Sequence, residues 1–269
     1  APVPGSPAEK AGLRTGDLIN RINDESTSGL AIDEAIMKIR GKEGTDVKLA
    51  IERGGKEQDY TIKREKIEVK SVKYSIDKDI LKITISRFDE NTATLVREAE
   101  EAGIAKNVKG IIIDLRNDPG GYLDSSIDVG SEFIEKGTIV TEKQEKKNKS
   151  QSFKASGNGK MINKDKYPLI VLVNNGSASA SEILAGAIRD NERGQLIGEK
   201  TFGKGSVQEI EKLPDGSQLK VTVAHWYTPK GVNISKEGLM PDIEIKLSDD
   251  DFSNSRDPQL EKAVQLLGN

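Results

Sequence analysis

Apolar residues recur along this chain with two periods, and the switches between them mark out its elements. Ile32, Ala35, Ile36 and Ile39 fall at i, i+3, i+4 and i+7, the spacing of one helix face. Val47, Leu49 and Ile51 alternate as on a half-buried strand, Gly54-Gly55 turns the chain, and Tyr60 and Ile62 continue the pattern. Ahead of these, Ser6 to Leu13 reads as a short helix with Pro7 at its first position and Gly12 as its stop. Gly16 to Asn23 reads as a turn and a strand. Residues 1–64 therefore predict a small barrel-like unit of a few strands and two helices.

Residues 65–88 are strand-rich, with Val72 and Ile76, then Ile80, Ile83 and Ile85. From about residue 91, Leu95, Val96, Ala99 and Ala102 mark a helix face. Two later stretches share one grammar. Gly110 to Leu115 is an apolar run, followed by Arg116-Asn117-Asp118-Pro119-Gly120-Gly121 and a helix bearing Leu123, Ile127 and Phe133. Leu169 to Val173 is another, followed by Asn175-Gly176-Ser177-Ala178-Ser179-Ala180-Ser181-Glu182 and a helix bearing Ile183, Leu184, Ala187 and Ile188. Strand, loop, helix and strand in succession predict parallel βαβ units, hence an α/β core over 65–269. Between them, residues 142–166 are lysine-rich and poor in large apolar side chains, which predicts exposed strands and loops.

Composition narrows the function. The chain has 269 residues, long enough for two domains, with a net charge of -3. Without a basic field, nucleic acid is not an expected partner. No apolar run reaches the length of about 18 residues that a spanning helix needs, so stable membrane insertion is not expected of this chain. It opens at Ala1-Pro2-Val3-Pro4 with neither an initiator Met nor a signal peptide, as a processed product would. One His and no Cys leave few routes to covalent catalysis.

Serine beside a buried lysine is one such route. Ser179-x-x-Glu182 is a capping box by pattern, and a serine at a helix N-terminus also sits in a positive field that favours a developing oxyanion. Ser177 and Ser181 compete with it on pattern alone. Lys204 stands between two glycines in Gly203-Lys204-Gly205-Ser206-Val207-Gln208, where burial would favour its neutral amine. In an extended run, alternation would put Lys204 and Gln208 on one face, where the amide could orient the base. Gly120-Gly121 allows backbone N–H groups to approach a substrate oxygen, and the Ala180 N–H, just after the serine, is the natural second donor. His225 reads as structural, and Trp226 and Tyr227 as packing. No metal-ligand cluster or cofactor fingerprint is seen, so no cofactor is expected.

The run Ser6 to Asp17 resembles a PDZ domain of the bacterial protease type; the loop that grips a peptide carboxylate would precede it and is expected to be absent. Over essentially its full length the chain resembles the C-terminal processing, or tail-specific, proteases. The landmarks are Ser6 to Asp17, Ile39-Arg40-Gly41, Asp114 to Gly121, Ser177 to Glu182, Thr201 to Gln208, Tyr227 to Gly231, Gly238 to Asp242 and Asp257 to Leu260. The resemblance implies a crotonase-like α/β core with a strand-rich cap over 65–269 and a PDZ domain over 1–64. It implies a serine endopeptidase with Ser179 as nucleophile, Lys204 as general base and Gln208 orienting it. The oxyanion donors would be the amides of Ala180 and of Gly120 or Gly121, with no metal or cofactor. It implies protein substrates recognised by their C-terminal tails, a location outside the cytoplasm, and leaves room for a homodimer. Arg40 would couple the PDZ domain to the core. Asp118 stands where the family more often has asparagine. Two other classes compete: a noncatalytic PDZ adaptor, which has no need of Ser179, Lys204 and Gln208 together, and an acyl-CoA enzyme of the crotonase type, which would bind CoA.

Overall fold

The computed structural model describes residues 2–3, 5–66, 70–144, 147–157, 159–161, 163–212 and 217–268, with backbone alone at 209, 210, 212 and 236. Ala1 and Pro4 of the opening, and four positions within the lysine-rich 142–166 segment (145, 146, 158 and 162), lie outside them. The chain divides into two compact units, 1–70 and 71–269, against an expected boundary at 64/65.

The first unit runs α1 (Pro7–Lys10), β1 (Leu18–Ile22), β2 (Glu25–Ser26), α2 (Ile32–Ile39), β3 (Asp46–Arg53) and β4 (Lys56–Lys63). Pro7 opens α1, as the sequence predicts, and Ser6 caps it by accepting the Glu9 N–H. The strands form an antiparallel sheet in the order β2-β1-β3-β4. Ile22, Val47, Leu49, Ile51 and Ile62 are its core. Only part of the α2 apolar face joins them: Ala35 and Ile39 pack on the core, while Ile32 and Met37 are 78% and 77% exposed. Arg64 closes the end of α2, its Nε and Nη2 donating to the Ile39 and Lys38 carbonyls at 2.8 and 3.0 Å. Arg40, the C-cap of α2, is exposed.

The second unit contains β5 (Val72–Asp77), β6 (Ile80–Ile85), α3 (Thr92–Ala105), β7 (Gly110–Asp114), α4 (Leu123–Phe133), β8 (Thr138–Gln144), β9 (Lys149–Lys154) and β10 (Leu169–Val173). It continues with α5 (Ala180–Asp190), β11 (Gln195–Gly198), β12 (Ser206–Lys212), β13 (Gln218–Tyr227), α6 (Ile234–Glu237), β14 (Ile243–Glu244), α7 (Asp249–Ser253) and α8 (Pro258–Leu267). Six strands form the core sheet in the order β14-β11-β10-β7-β6-β5, parallel throughout except for the β5–β6 edge pair. Both faces of this sheet are covered, which is why β7 and β10 read as unbroken apolar runs. Ile111, Ile113, Val171 and Val173 point to one side and pack with α3, α4 and α5. Ile112, Ile170 and Leu172 point to the other and meet Ala263 and Leu267 of α8.

A second, antiparallel sheet, β12-β13-β8-β9, forms the strand-rich cap. Val140 and Ala224 are buried in it, and Phe153 meets Trp226 edge-on with ring centroids 6.0 Å apart. Trp226 and Tyr227 are packing residues: a Lys143 ammonium lies 4.2 Å from the Tyr227 ring centre, and the Asn233 amide donates to the Tyr227 hydroxyl at 3.0 Å.

Candidate active site

Four neighbouring parallel strands, β6, β7, β10 and β11, send the loops at their C-terminal ends to one place, the usual position of a site in an open α/β sheet. Hydrogen bonds fasten these loops to one another. Phe88, after β6, donates its N–H to the Gly120 carbonyl at 3.0 Å and accepts the Tyr122 N–H at 3.0 Å. The Asn174 side chain, after β10, accepts the Asn117 N–H at 2.9 Å and donates to the Asn117 side chain at 2.9 Å. Phe202, after β11, donates its N–H to the Ser177 carbonyl at 3.0 Å.

The three serines that pattern leaves equivalent differ in their surroundings. The Ser177 hydroxyl is buried, donating to the Leu115 carbonyl at 2.7 Å and accepting the Asn174 N–H at 3.0 Å. The Ser181 hydroxyl is buried and donates to the Asp118 carbonyl at 3.0 Å. Ser179 is half-exposed and forms no side-chain capping bond. Its backbone, at φ 57° and ψ −115°, lies in a region that L side chains rarely occupy and that turns the residue out of the loop at the head of α5. Gly120 comes up against this turn. A Cβ there would stand 2.8 Å from the Ser179 Cβ and 2.9 Å from the Ala180 nitrogen, so the approach requires glycine.

Glu182 is the residue that organises the site, and the sequence pattern shows it only as a capping partner. Fully buried, its carboxylate accepts four hydrogen bonds. Oε2 takes the Ser179 and Lys204 N–H groups, both at 2.9 Å, and Oε1 takes the Gly203 N–H at 2.8 Å and the Thr201 hydroxyl at 2.6 Å. One side chain thus pins the backbone of the serine turn and that of the lysine loop. Gly205 is pressed close as well, since a Cβ there would stand 2.6 Å from the Ile234 Cβ.

The lysine and glutamine depart from expectation. Lys204 is exposed, as a lysine read alone usually is and not close-packed as its two glycines allow, and its ammonium has no partner among the described residues. It lies in the loop before β12, so strand alternation does not carry from it to Gln208. A bulge between Val207 and Gln208 shifts the register further, and Gln208 is also exposed. The lysine's backbone is fixed by Glu182, while its side chain is exposed to solvent.

The profile of peptidase family S41 matches residues 79–245, and that of a PDZ domain matches residues 1–53. The chain belongs to peptidase family S41. It is 42% identical over 245 residues to a protein of Staphylococcus aureus (strain COL) named "Probable CtpA-like serine protease", covering 91% of this chain and 49% of that one. A protein of the same name from Staphylococcus haemolyticus (strain JCSC1435) is 43% identical over equal coverage. The S41 chain thus spans about half the length of these relatives. Among solved structures, the photosystem II D1 C-terminal processing protease is 30% identical with a TM-score of 0.84, covering 100% of this chain and 71% of that one. The α/β core, the strand-rich cap and the N-terminal PDZ domain are those the sequence predicts.

A second network joins two of the sequence landmarks, though their spacing does not show the link. Buried Asp114 at the end of β7 pairs with Arg116 at 2.8 Å and Lys82 at 3.1 Å. Arg116 also pairs with Asp257 at 2.8 Å and donates to Gln259 at 3.0 Å, both at the head of α8. Burial works against the Asp114 carboxylate, but Arg116 and Lys82 outweigh it and hold its titration below the usual range. The loop carrying Gly120 and Gly121 is therefore anchored to an element 141 residues further on.

Proposed function

We propose that this chain carries the catalytic part of a serine endopeptidase that cleaves proteins near their C-termini. Ser179 is the nucleophile, Lys204 the general base, and the PDZ unit the reader of substrate tails. The observation that supports this most is the Glu182 carboxylate, which fixes the Ser179 turn and the Lys204 loop at one point. The Ser179 hydroxyl is the one of three left free for chemistry, and it stands at the positive end of α5.

In this reading the Lys204 amine turns from solvent to the Ser179 hydroxyl while its backbone stays pinned. Substrate covering the site excludes water and favours the neutral amine. The amine takes the hydroxyl proton as Oγ attacks the scissile carbonyl, and returns it to the leaving amine. A water molecule, deprotonated by the same lysine, then releases the acyl group from Ser179. The oxyanion is met by the Ala180 N–H and by an amide of the Gly120-Gly121 pair. Since the Gly120 N–H is already given to Asp118 Oδ1 at 2.8 Å, Gly121 is the member of the pair left to serve. Gln208 orients the lysine once it has turned inward, and Arg40 couples the PDZ unit to the core. The substrates are protein tails, and the enzyme acts outside the cytoplasm. Among the described residues no helix is long and apolar enough to cross a membrane.

The test is proteolysis of an unstructured protein with an apolar C-terminus, in EDTA, by the native chain and its Ser179→Ala and Lys204→Ala variants. Cleavage by the native chain alone is the expected result. No cleavage by any of the three would favour a noncatalytic PDZ adaptor.

A further inference from the structure

Asp118 is buried within the loop that carries Gly120 and Gly121. Its Oδ1 accepts the Gly120 N–H at 2.8 Å, and its Oδ2 forms no hydrogen bond among the described residues. Its backbone carbonyl accepts the Ala178 N–H at 2.9 Å and the Ser181 hydroxyl at 3.0 Å, so the residue is clamped to both sides of Ser179. Charged groups on the surrounding elements are Glu182 in α5, Asp114 and Arg116 at the end of β7, Arg87 and Asp89 after β6, Asp124 in α4, and Lys204. None of them is hydrogen-bonded or ion-paired to Asp118 among the described residues. A carboxylate buried without a cation is costly, and the group takes up a proton instead. Burial pushes the Asp118 carboxyl up to about 8; the Gly120 amide and the nearby Ser181 hydroxyl favour the ionised form without offsetting that cost.

We propose that Asp118 is a positioning residue that works as a neutral carboxylic acid: it turns the Gly120 N–H inward, leaves the Gly121 and Ala180 amides to the oxyanion, and disables the site when it ionises. The proposal rests on the acyl-transfer reading above. The Gly120 carbonyl accepts the Phe88 N–H at 3.0 Å, and across a trans peptide the Gly121 N–H points the opposite way, off Phe88. An Asp118 anion would set a negative charge one loop turn from the developing oxyanion, in surroundings that screen it poorly. The direction follows. Raising the pH through about 8 converts the acid to the anion, so on the alkaline side activity drops below the course that a lysine base alone would give. Asparagine keeps the carbonyl acceptor for Gly120 and cannot ionise.

The test compares the native chain with Asp118→Asn in two readouts. The first is the kcat/KM profile of a peptide substrate from pH 6 to pH 10. The native profile should break downward near pH 8 by one logarithmic unit of slope relative to Asp118→Asn, whatever the absolute heights: where the Asp118→Asn profile still rises about tenfold per unit the native profile is flat, and where the Asp118→Asn profile has levelled off the native profile falls about tenfold per unit. The second is the infrared difference between the two proteins, which needs no turnover. It should show a protonated-carboxyl band at neutral pH that disappears as the pH passes 8. Coincident pH profiles, or no such band at neutral pH, would overturn the proposal. If neither protein cleaves at any pH, the acyl-transfer reading falls, while the infrared titration still decides the ionisation of Asp118.

Discussion

Ser179 sits at φ 57° and ψ −115°, a conformation that costs a side-chain-bearing residue about 1–3 kcal/mol and that glycine adopts freely. The strain has a use in the proposed chemistry, because the same turn projects the hydroxyl out of the loop. Ser179→Gly should therefore raise stability by about 1 kcal/mol in urea denaturation and abolish cleavage. A loss of stability would mean that the turn is not strained. Pattern alone could not pick this serine. Ser177 is distinguished by a hydrogen bond to Leu115, a residue 62 positions away, and Ser181 by one to Asp118, 63 positions away. Such partners are set by the packing of one βα loop on another, and local spacing does not record them. Lys204 illustrates the same limit from the other side. Gly205 beside it does mark a tight approach, but what is held there is backbone, and the Lys204 side chain stays in water.

At the scale of elements, Glu182 joins the head of α5 to the loop after β11. The sequence shows its i+3 relation to Ser179, a short-range signal. Its bonds to Thr201, Gly203 and Lys204 reach 19, 21 and 22 residues ahead and become visible only when β10 and β11 are set side by side. Glu182→Ala would leave four donors without their acceptor, three backbone N–H groups and one hydroxyl. Because unpaired buried polar groups cost about 1–3 kcal/mol each and water would reach some of these, a loss of about 2–4 kcal/mol is expected in denaturant unfolding. Cleavage should fall with it, even at temperatures where the variant remains folded. A fully active Glu182→Ala would contradict the role given to this carboxylate. The strands and helices themselves were legible, because period and length agree: β7 and β10 as unbroken apolar runs, α5 as the helix after β10. Alternation misleads at β12, where the chain enters the strand only at Ser206 and then bulges.

For the whole molecule, the ordered landmarks specify a PDZ unit followed along the chain by an α/β core, and both the fold and the family agree with them. Less legible was how distant segments complete the core. Helix α8, at the far end of the chain, covers the second face of the sheet, and its head anchors the loop of Gly120 and Gly121 through Arg116. In the PDZ unit the apolar face of α2 is only partly used, which the periodicity of Ile32, Ala35, Ile36 and Ile39 does not reveal. In the proposed chemistry, loops from separate strands make one activated serine, Ser179, whose proton goes to Lys204. Its most direct test is labelling with a fluorophosphonate, followed by peptide mapping in a mass spectrometer. A single modified residue, Ser179, is expected in the native chain, with labelling at least about a hundredfold slower in Lys204→Ala. Modification at Ser177 or Ser181, or labelling of Ser179 at an unchanged rate without Lys204, would contradict it.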